Sequence, residues 1–245
     1  MLQRVTIAGL GLIGGSLGIA LRRQGWRVAY VDPNVDLDAA RAAGAADERL
    51  EAPGSDSMLV LATPVERALA LLHAAPSQLV TSTCSVMQPL RAAAHGLRFV
   101  AGHPFAGSER SGLAAARGDL FEGHPWFLDR DDAEVRRMVE AAGAKAVVIE
   151  PAAHDEALAL TSHLPQVIST ALASLLEQRS LDPLFIGTGL RTLLRLAGSS
   201  YEVWEPVLET NRENVARALD DLVRVAEQLD EKDFDRARQF TARQK

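Results

Sequence analysis

Two groups of residues in this 245-residue chain have types and spacings suited to chemistry: a glycine loop near the amino terminus, and later segments carrying histidine, serine and arginine. The loop reads Gly9-Leu10-Gly11-Leu12-Ile13-Gly14-Gly15-Ser16. A GxGxxG pattern alone is a weak signal. Here an apolar run, Arg4–Ala8, precedes it, a helical pattern follows, and Asp32 closes the next apolar run. In that context Gly9 permits a tight turn, Gly11 lets main-chain N–H groups approach a pyrophosphate, and Gly14 lets the helix pack close to a sheet. The helix N-terminus adds unbonded N–H groups and the positive end of its dipole. A carboxylate at Asp32 accepts from both hydroxyls of an adenosine ribose and repels a 2′-phosphate. No arginine follows in Asp32-Pro33-Asn34 to offset that repulsion. These residues predict NAD rather than NADP. The expected contacts come from Gly9, Gly11, Leu12, Ile13, Gly14, Ser16 and Asp32, with Thr63, Pro64 and Ser85 on later loops.

Four further segments stand out. They are Leu61-Ala62-Thr63-Pro64-Val65, Thr83-Cys84-Ser85-Val86, Gly102-His103-Pro104-Phe105-Ala106-Gly107-Ser108-Glu109, and His154-Asp155 followed by Ser162-His163-Leu164-Pro165. The first three follow predicted strands, and ligands of open α/β sheets bind outside the carboxyl ends of strands. His154 and His163 invite a metal reading, but nine residues of helix turn through about 900° and put them on opposite faces. With no cysteine or carboxylate cluster beside them, no metal site is expected. Asp155 reads as the cap of its own helix. Arg191 and Arg195 are four apart, hence on one face if that stretch is helical.

Taken together, GLGLIGGS, LATPV, GHPFAGSERSG, HDEALALTSHLP and GLRTLLRLA resemble the prephenate/arogenate dehydrogenase family, in matching order from Val5 to about Asn214. The resemblance implies a Rossmann domain joined to an all-helical dimerisation domain. It implies NAD-dependent oxidative decarboxylation of prephenate, of its amino analogue arogenate, or of both. His103 matches the family's GHP histidine, expected to take the hydroxyl proton; imidazole suits this because its pKa lies near neutrality. Ser85 is similar to the family serine that supports that histidine and touches the nicotinamide or the substrate hydroxyl. Arg195 matches the arginine that binds the substrate's side-chain carboxylate, which a guanidinium can hold bidentately; Arg191 is its companion. Gln166 is a further expected substrate contact; Glu109 is read as either a substrate contact or a solvated loop residue, and His163 as part of the domain seam or, second, a substrate contact. The chain departs from the family where Ser82-Thr83-Cys84-Ser85-Val86-Met87 lacks the usual acid, glycine and lysine, where Gln166 replaces a common histidine, and where Thr192 replaces an aspartate. Two other readings share parts of this pattern: another two-domain dehydrogenase of β-hydroxyacid or pyrroline-carboxylate type, and a non-catalytic NAD-binding sensor.

These residues need elements to hold them. Apolar runs predict strands at 4–8, 27–31, 58–62, 79–82, 98–101, 126–128 and 146–149, with helical patterns at 12–24, 36–43, 64–74, 88–95 and 132–142. The run 44–57 has room for one short edge strand. Such alternation predicts a doubly wound, mostly parallel α/β sheet. The expected domains are 1–150, binding NAD, and 151–245, helical, for substrate and dimerisation. One helix is expected over 154–178, kinked at Pro165. Another, from Tyr201, carries Trp204, Leu208, Asn211, Val215, Leu219, Leu222, Ala226 and Leu229 in one stripe of some seven turns. A stripe that long predicts a homodimer through the carboxyl-terminal helices.

Composition agrees with a soluble globular protein: 47% of residues are hydrophobic and 24% charged. A net charge of -6 disfavours a nucleic-acid partner. Cys84 is the one cysteine, so no internal disulfide forms. The start, MLQRVTIAGLGLIGG, lacks the features of a secretory signal, and no apolar run is long enough to span a membrane. A cytoplasmic enzyme is expected.

Overall fold

The computed structural model describes residues 3–55, 57–74, 79–108 and 110–243. Its first elements alternate: β1 (Arg4–Ala8), α1 (Leu12–Arg23), β2 (Arg27–Val31), α2 (Leu37–Ala42), β3 (Glu48–Arg49), β4 (Met58–Leu61), α3 (Val65–His73), β5 (Val80–Ser82), α4 (Gln88–Ala93) and β6 (Phe99–Val100). All six strands are parallel, in the order β3-β2-β1-β4-β5-β6. This is the dinucleotide-binding order, whose switch point lies between β1 and β4. The edge strand expected in 44–57 is β3.

The strands are short and apolar on both sides because both faces are covered. Side chains alternate between two cores along each strand. From β4, Met58 and Val60 enter a core with Leu17 and Leu21 of α1 and with Val135 and Met138, whereas Leu59 and Leu61 enter a second core with Val65 and Leu72 of α3 and Leu90 of α4. Full burial of each such leucine or valine stabilises the fold by about 1.5–3 kcal/mol.

The chain then builds a second sheet from β7 (Gly102–Pro104), β8 (Pro125–Leu128) and β9 (Lys145–Val148), with α5 (Ala133–Ala141) between the last two. β7 runs antiparallel to β8, and β9 parallel to it. β7 departs from expectation, since the sequence reads as loop there: it is three residues long and contains a glycine and a proline.

The rest is helical: α6 (Pro151–Leu158), a π-helical turn (Ala159–His163), α7 (Leu164–Gln178), α8 (Thr188–Leu194), a 3-10 turn (Arg195–Gly198), α9 (Tyr201–Thr210), α10 (Arg212–Glu227) and α11 (Glu231–Ala242). Pro165 falls in the first turn of α7, and the π turn precedes it. A wider i→i+5 register accommodates a residue with no N–H and a ring that excludes the preceding carbonyl. The expected unbroken seven-turn helix is divided at Asn211 into α9 and α10. Chain contacts define two compact units, one of residues 1–157 and 199–210, the other of 158–198 and 211–245. α9 belongs to the first, packed on α3. In the second, Ala159, Leu164 and Ala218 form a small buried cluster.

Candidate active site

The glycine loop follows β1 directly. Gly9 has φ +91°, and an added Cβ there would lie 2.6 Å from the Ala62 carbonyl oxygen, at the end of the adjacent strand β4. A Cβ at Gly14 would lie 1.9 Å from the Gly9 carbonyl oxygen, so Gly14 fixes how closely α1 approaches the turn. At Gly11 an added Cβ would meet no protein atom within 4 Å. Gly11 is also the N-cap of α1 and supplies no side-chain cap. The first helical bond runs from the Gly15 N–H to the Gly11 carbonyl at 2.8 Å, so the N–H groups of Leu12, Ile13 and Gly14 precede the helical ladder. An uncapped, open N-terminus of this kind fits a pyrophosphate.

Asp32 stands at the end of β2, its Oδ2 accepting from the Leu10 N–H and its Oδ1 from the Asn34 N–H, each at 2.8 Å. These bonds hold the carboxylate against the loop. It helps line a groove of about 390 Å³ with Leu10, Gly11, Asn34, Val35 and Asp36. Asp36 adds a second carboxylate, N-capping α2 through the Ala39 N–H. Among the described residues no arginine or lysine lines this groove, which therefore suits a ribose with free hydroxyls better than a 2′-phosphate. Thr63, following β4, has a buried Oγ1 with no partner among the described residues, while Pro64 is exposed at the N-cap of α3. The Ser16 side chain, expected at the cofactor, is fully buried, and its Oγ accepts from the Arg117 N–H at 3.0 Å. It anchors the segment after Leu113–Ala115 onto α1, because no surface of it remains for a ligand.

Beyond β5 lies the chemical half of this unit. Gly102 binds Ser82 Oγ through both its N–H and its carbonyl, and a Cβ on it would lie 2.7 Å from the Ser82 carbonyl. β7 is thereby held close to the end of β5. His103, the next residue, pairs across to Phe127 of β8 and is 8% exposed. Its Nδ1 lies 3.0 Å from His154 Nε2, and His154 Nδ1 lies 2.8 Å from Asp155 Oδ1. His154 and Asp155 are 0% and 1% exposed. Asp155 does not cap α6, where Glu150 Oε2 takes the Ala153 N–H instead. Its two oxygens accept from the Met87 and Gln88 N–H groups at 2.8 and 2.9 Å, capping the start of α4. Ser85 is half-buried on the loop just before. Thus one carboxylate fixes both the Ser85 loop and the histidine pair. Sequence reasoning missed His154 in this role; the adjacent His-Asp pair was the available signal, but its partners are 51 and 67–68 residues away.

Cys84, beside Ser85, is a neutral structural thiol: burial pushes its pKa up to about 12, against the lowering effect of its hydrogen bond with the Thr83 backbone. Among the described residues no group of three or more His, Cys, Asp or Glu side chains is placed to hold a metal.

In the helical unit, Arg191 lies in the last turn of α8, and Arg195 continues the helical path with φ −55° and ψ −37°. Both are exposed, and neither has a carboxylate within 4.0 Å among the described residues. They share one face, as their spacing predicts. Gln166 is buried, its Nε2 donating to the Leu196 carbonyl at 2.9 Å and to Thr170 Oγ1 at 3.0 Å. Its Oε1 has no partner among the described residues. His163 is buried, with Nδ1 3.0 Å from Asn211 Nδ2. Glu109 lies outside the described residues.

Two family models match the chain: the prephenate dehydrogenase nucleotide-binding domain over residues 17–148 and the prephenate dehydrogenase dimerization domain over residues 150–237. A probable prephenate dehydrogenase of Streptomyces niveus, NovF, is 33% identical over 248 residues, covering 91% of this chain and 67% of its own. Among solved structures, prephenate dehydrogenase from A. aeolicus, in complex with hydroxyphenyl propionate and NAD+, has TM-score 0.83 at 28% identity, covering 97% of this chain and 93% of its own. Synechocystis arogenate dehydrogenase has TM-score 0.76 at 26% identity, covering 98% of both chains.

Proposed function

The chain belongs to the prephenate dehydrogenase family, and from that premise we propose that it carries out the NAD-dependent oxidative decarboxylation of prephenate to 4-hydroxyphenylpyruvate, of arogenate to tyrosine, or of both. The observation that carries the proposal is His103: a nearly buried imidazole whose Nδ1 is committed to His154, so that Nε2 is the ring atom to receive a proton. Bound NAD supplies the hydride acceptor. Gly9, Gly11 and the first N–H groups of α1 hold its pyrophosphate, and Asp32 its adenosine ribose. His103 Nε2 takes the proton of the substrate's ring hydroxyl. The hydroxyl-bearing ring carbon loses its hydrogen as hydride and its oxygen becomes a carbonyl; as the bond to the departing carboxylate then breaks, CO₂ leaves, the bond's electrons enter the ring, and His103 returns the proton to the ring oxygen. The base is regenerated, and no net proton is consumed. Arg195, with Arg191, binds the substrate's side-chain carboxylate; among the described residues neither cation has a carboxylate within 4.0 Å.

The direct test is absorbance of reduced nicotinamide with purified protein and either acid. NADH should form with at least one of them. With NADP in place of NAD, kcat/KM should fall by at least about 100-fold, since Asp32 and Asp36 both oppose a 2′-phosphate. No turnover with either acid, despite NAD binding, would refute the reaction. Equal efficiency with NADP would refute the roles given to the two carboxylates.

We also infer a homodimer formed through the helical unit. Leu219, Leu222, Leu229, Phe234 and Phe240 are all exposed in that unit, apolar side chains that a second copy could cover. The matched family model is itself a dimerization domain. Sedimentation at micromolar concentration should give twice the 26.3 kDa chain mass, and a monomer would contradict the inference. Among the described residues no helix is long and apolar enough to cross a membrane, which agrees with a cytoplasmic setting.

A further inference from the structure

The hydrogen-bond chain that begins at His103 has a direction, and its far end sets that direction. Among the groups that Asp155 faces are three that bear an N–H. Two are main-chain amides, of Met87 at 2.8 Å from Oδ1 and of Gln88 at 2.9 Å from Oδ2, and a main-chain N–H can only donate. Both oxygens are therefore acceptors, and the group shown to His154 is a carboxylate. His154 meets it with Nδ1 at 2.8 Å, so the His154 proton resides on Nδ1 and its Nε2 carries a lone pair. That lone pair lies 3.0 Å from His103 Nδ1, which must then hold the donated hydrogen. In neutral His103 the lone pair is left on Nε2. The opposite polarity would require a neutral carboxyl whose Oδ1 both donates to His154 and accepts from the Met87 amide, a weaker acceptor for the two amides than the carboxylate.

We propose that His154 and Asp155 are positioning residues that lock His103 in its Nδ1–H tautomer and stabilise the imidazolium formed when Nε2 takes a proton. The proposal rests on the reading of His103 as proton acceptor given above. Without the lock, His103 distributes its proton between both nitrogens, and the fraction with an Nε2 lone pair turns with fewer constraints on the ring. With it, the ring plane is set by His154, whose ring meets it edge-on at 5.2 Å between centroids. When Nε2 accepts the substrate's proton, the new positive charge faces a buried chain ending in a carboxylate. The same carboxylate holds the start of α4, so the Ser85 loop and the base are placed by one group.

The test has two parts on the full chain. Nitrogen-15 histidine NMR reads the tautomer of each of the six histidines, with His103→Asn identifying the His103 signals. His103 should show a protonated Nδ1 and an unprotonated Nε2 near neutral pH. A protonated Nε2 on neutral His103 would overturn the proposal. Because no substrate is present, this result is independent of which reaction the enzyme performs. Absence of turnover with both acids alongside the expected tautomer would strike the reaction and leave the lock intact. In kinetics, His154→Phe should lower kcat about 100-fold, with NAD affinity and substrate KM within about twofold of wild type. His154→Gln, which can still accept from the His103 Nδ1–H, should recover about tenfold of that loss. Wild-type kcat in a folded His154→Phe would overturn the proposal, and if that variant fails to fold, the wild-type tautomer decides.

Discussion

Replacing His103 by Asn lowers kcat by about three orders of magnitude and leaves NAD affinity within about twofold of wild type, the expected result for a group that moves a proton and does not hold the cofactor. Asn is the informative replacement. Its amide nitrogen can stand where Nδ1 stands and donate to His154 Nε2 across the present 3.0 Å contact. The buried imidazole–carboxylate pair therefore keeps its partner, and the penalty of about 1–3 kcal/mol for an unsatisfied buried group is avoided. What Asn lacks is the second ring nitrogen. A thousandfold fall corresponds to about 4 kcal/mol of lost transition-state stabilisation. Isothermal titration with NAD, thermal melting and steady-state kinetics on one preparation separate the possibilities. A loss of Tm with unchanged kcat would mean that His103 only fills the seam between β7 and α6.

The second large effect separates two glycines that sequence motifs treat alike. Gly14→Ala should lower stability by about 3 kcal/mol and weaken NAD binding with it. Gly11→Ala should leave Tm near wild type and still weaken NAD binding at least about tenfold. Helix propensity alone favours Ala over Gly by about 1 kcal/mol inside α1. At Gly14 the new Cβ would stand 1.9 Å from the Gly9 carbonyl oxygen, with Ile7 and Ala62 at 3.0 and 3.1 Å behind it. That oxygen belongs to a turn fixed at φ +91°, so it cannot yield cheaply, and overpacking of this kind costs about 1–3 kcal/mol or more. At Gly11 no protein atom opposes the methyl group, so its cost appears only when a pyrophosphate must come close. Paired melting curves and NAD titrations read both effects. A stable Gly14→Ala, or a Gly11→Ala with undiminished affinity, would show that the loop does not hold the nucleotide in this way.

Much of the nucleotide half is legible in the sequence because its signals are local. β1 and β2 have the expected limits, and β4, β5 and β6 fall within a residue at each end, since continuous apolar runs admit few alternatives; β3 is expected only as a short edge strand somewhere in 44–57. Gly9, Gly11, Gly14 and Asp32 lie within one strand–turn–helix–strand unit and are read from spacing alone. β7 is not legible: Gly102-His103-Pro104 has no apolar alternation, and its pairing with β8 is a tertiary fact. Gly18 is a similar case, lying outside the motif although a Cβ on it would fall 2.0 Å from the Ala45 carbonyl oxygen. The break at Asn211 is hidden because apolar residues recur at helical spacing on both sides of it; the polar residue inside the stripe was the clue. The roles of His154 and Asp155 need contacts that spacing cannot supply. Ser16 fails for the opposite reason, since its place in the motif hides a hydroxyl already engaged by Arg117.

The chain passes between its two compact units three times, at 157–158, 198–199 and 210–211. A recombination joint at residue 150 would here carry off His154, Asp155 and α9, leaving His103 without the pair beside it and α3 without the helix packed on it. A joint that keeps the first unit whole must fall after residue 157 and retain 199–210, so sequence order and structural unit do not coincide in this chain.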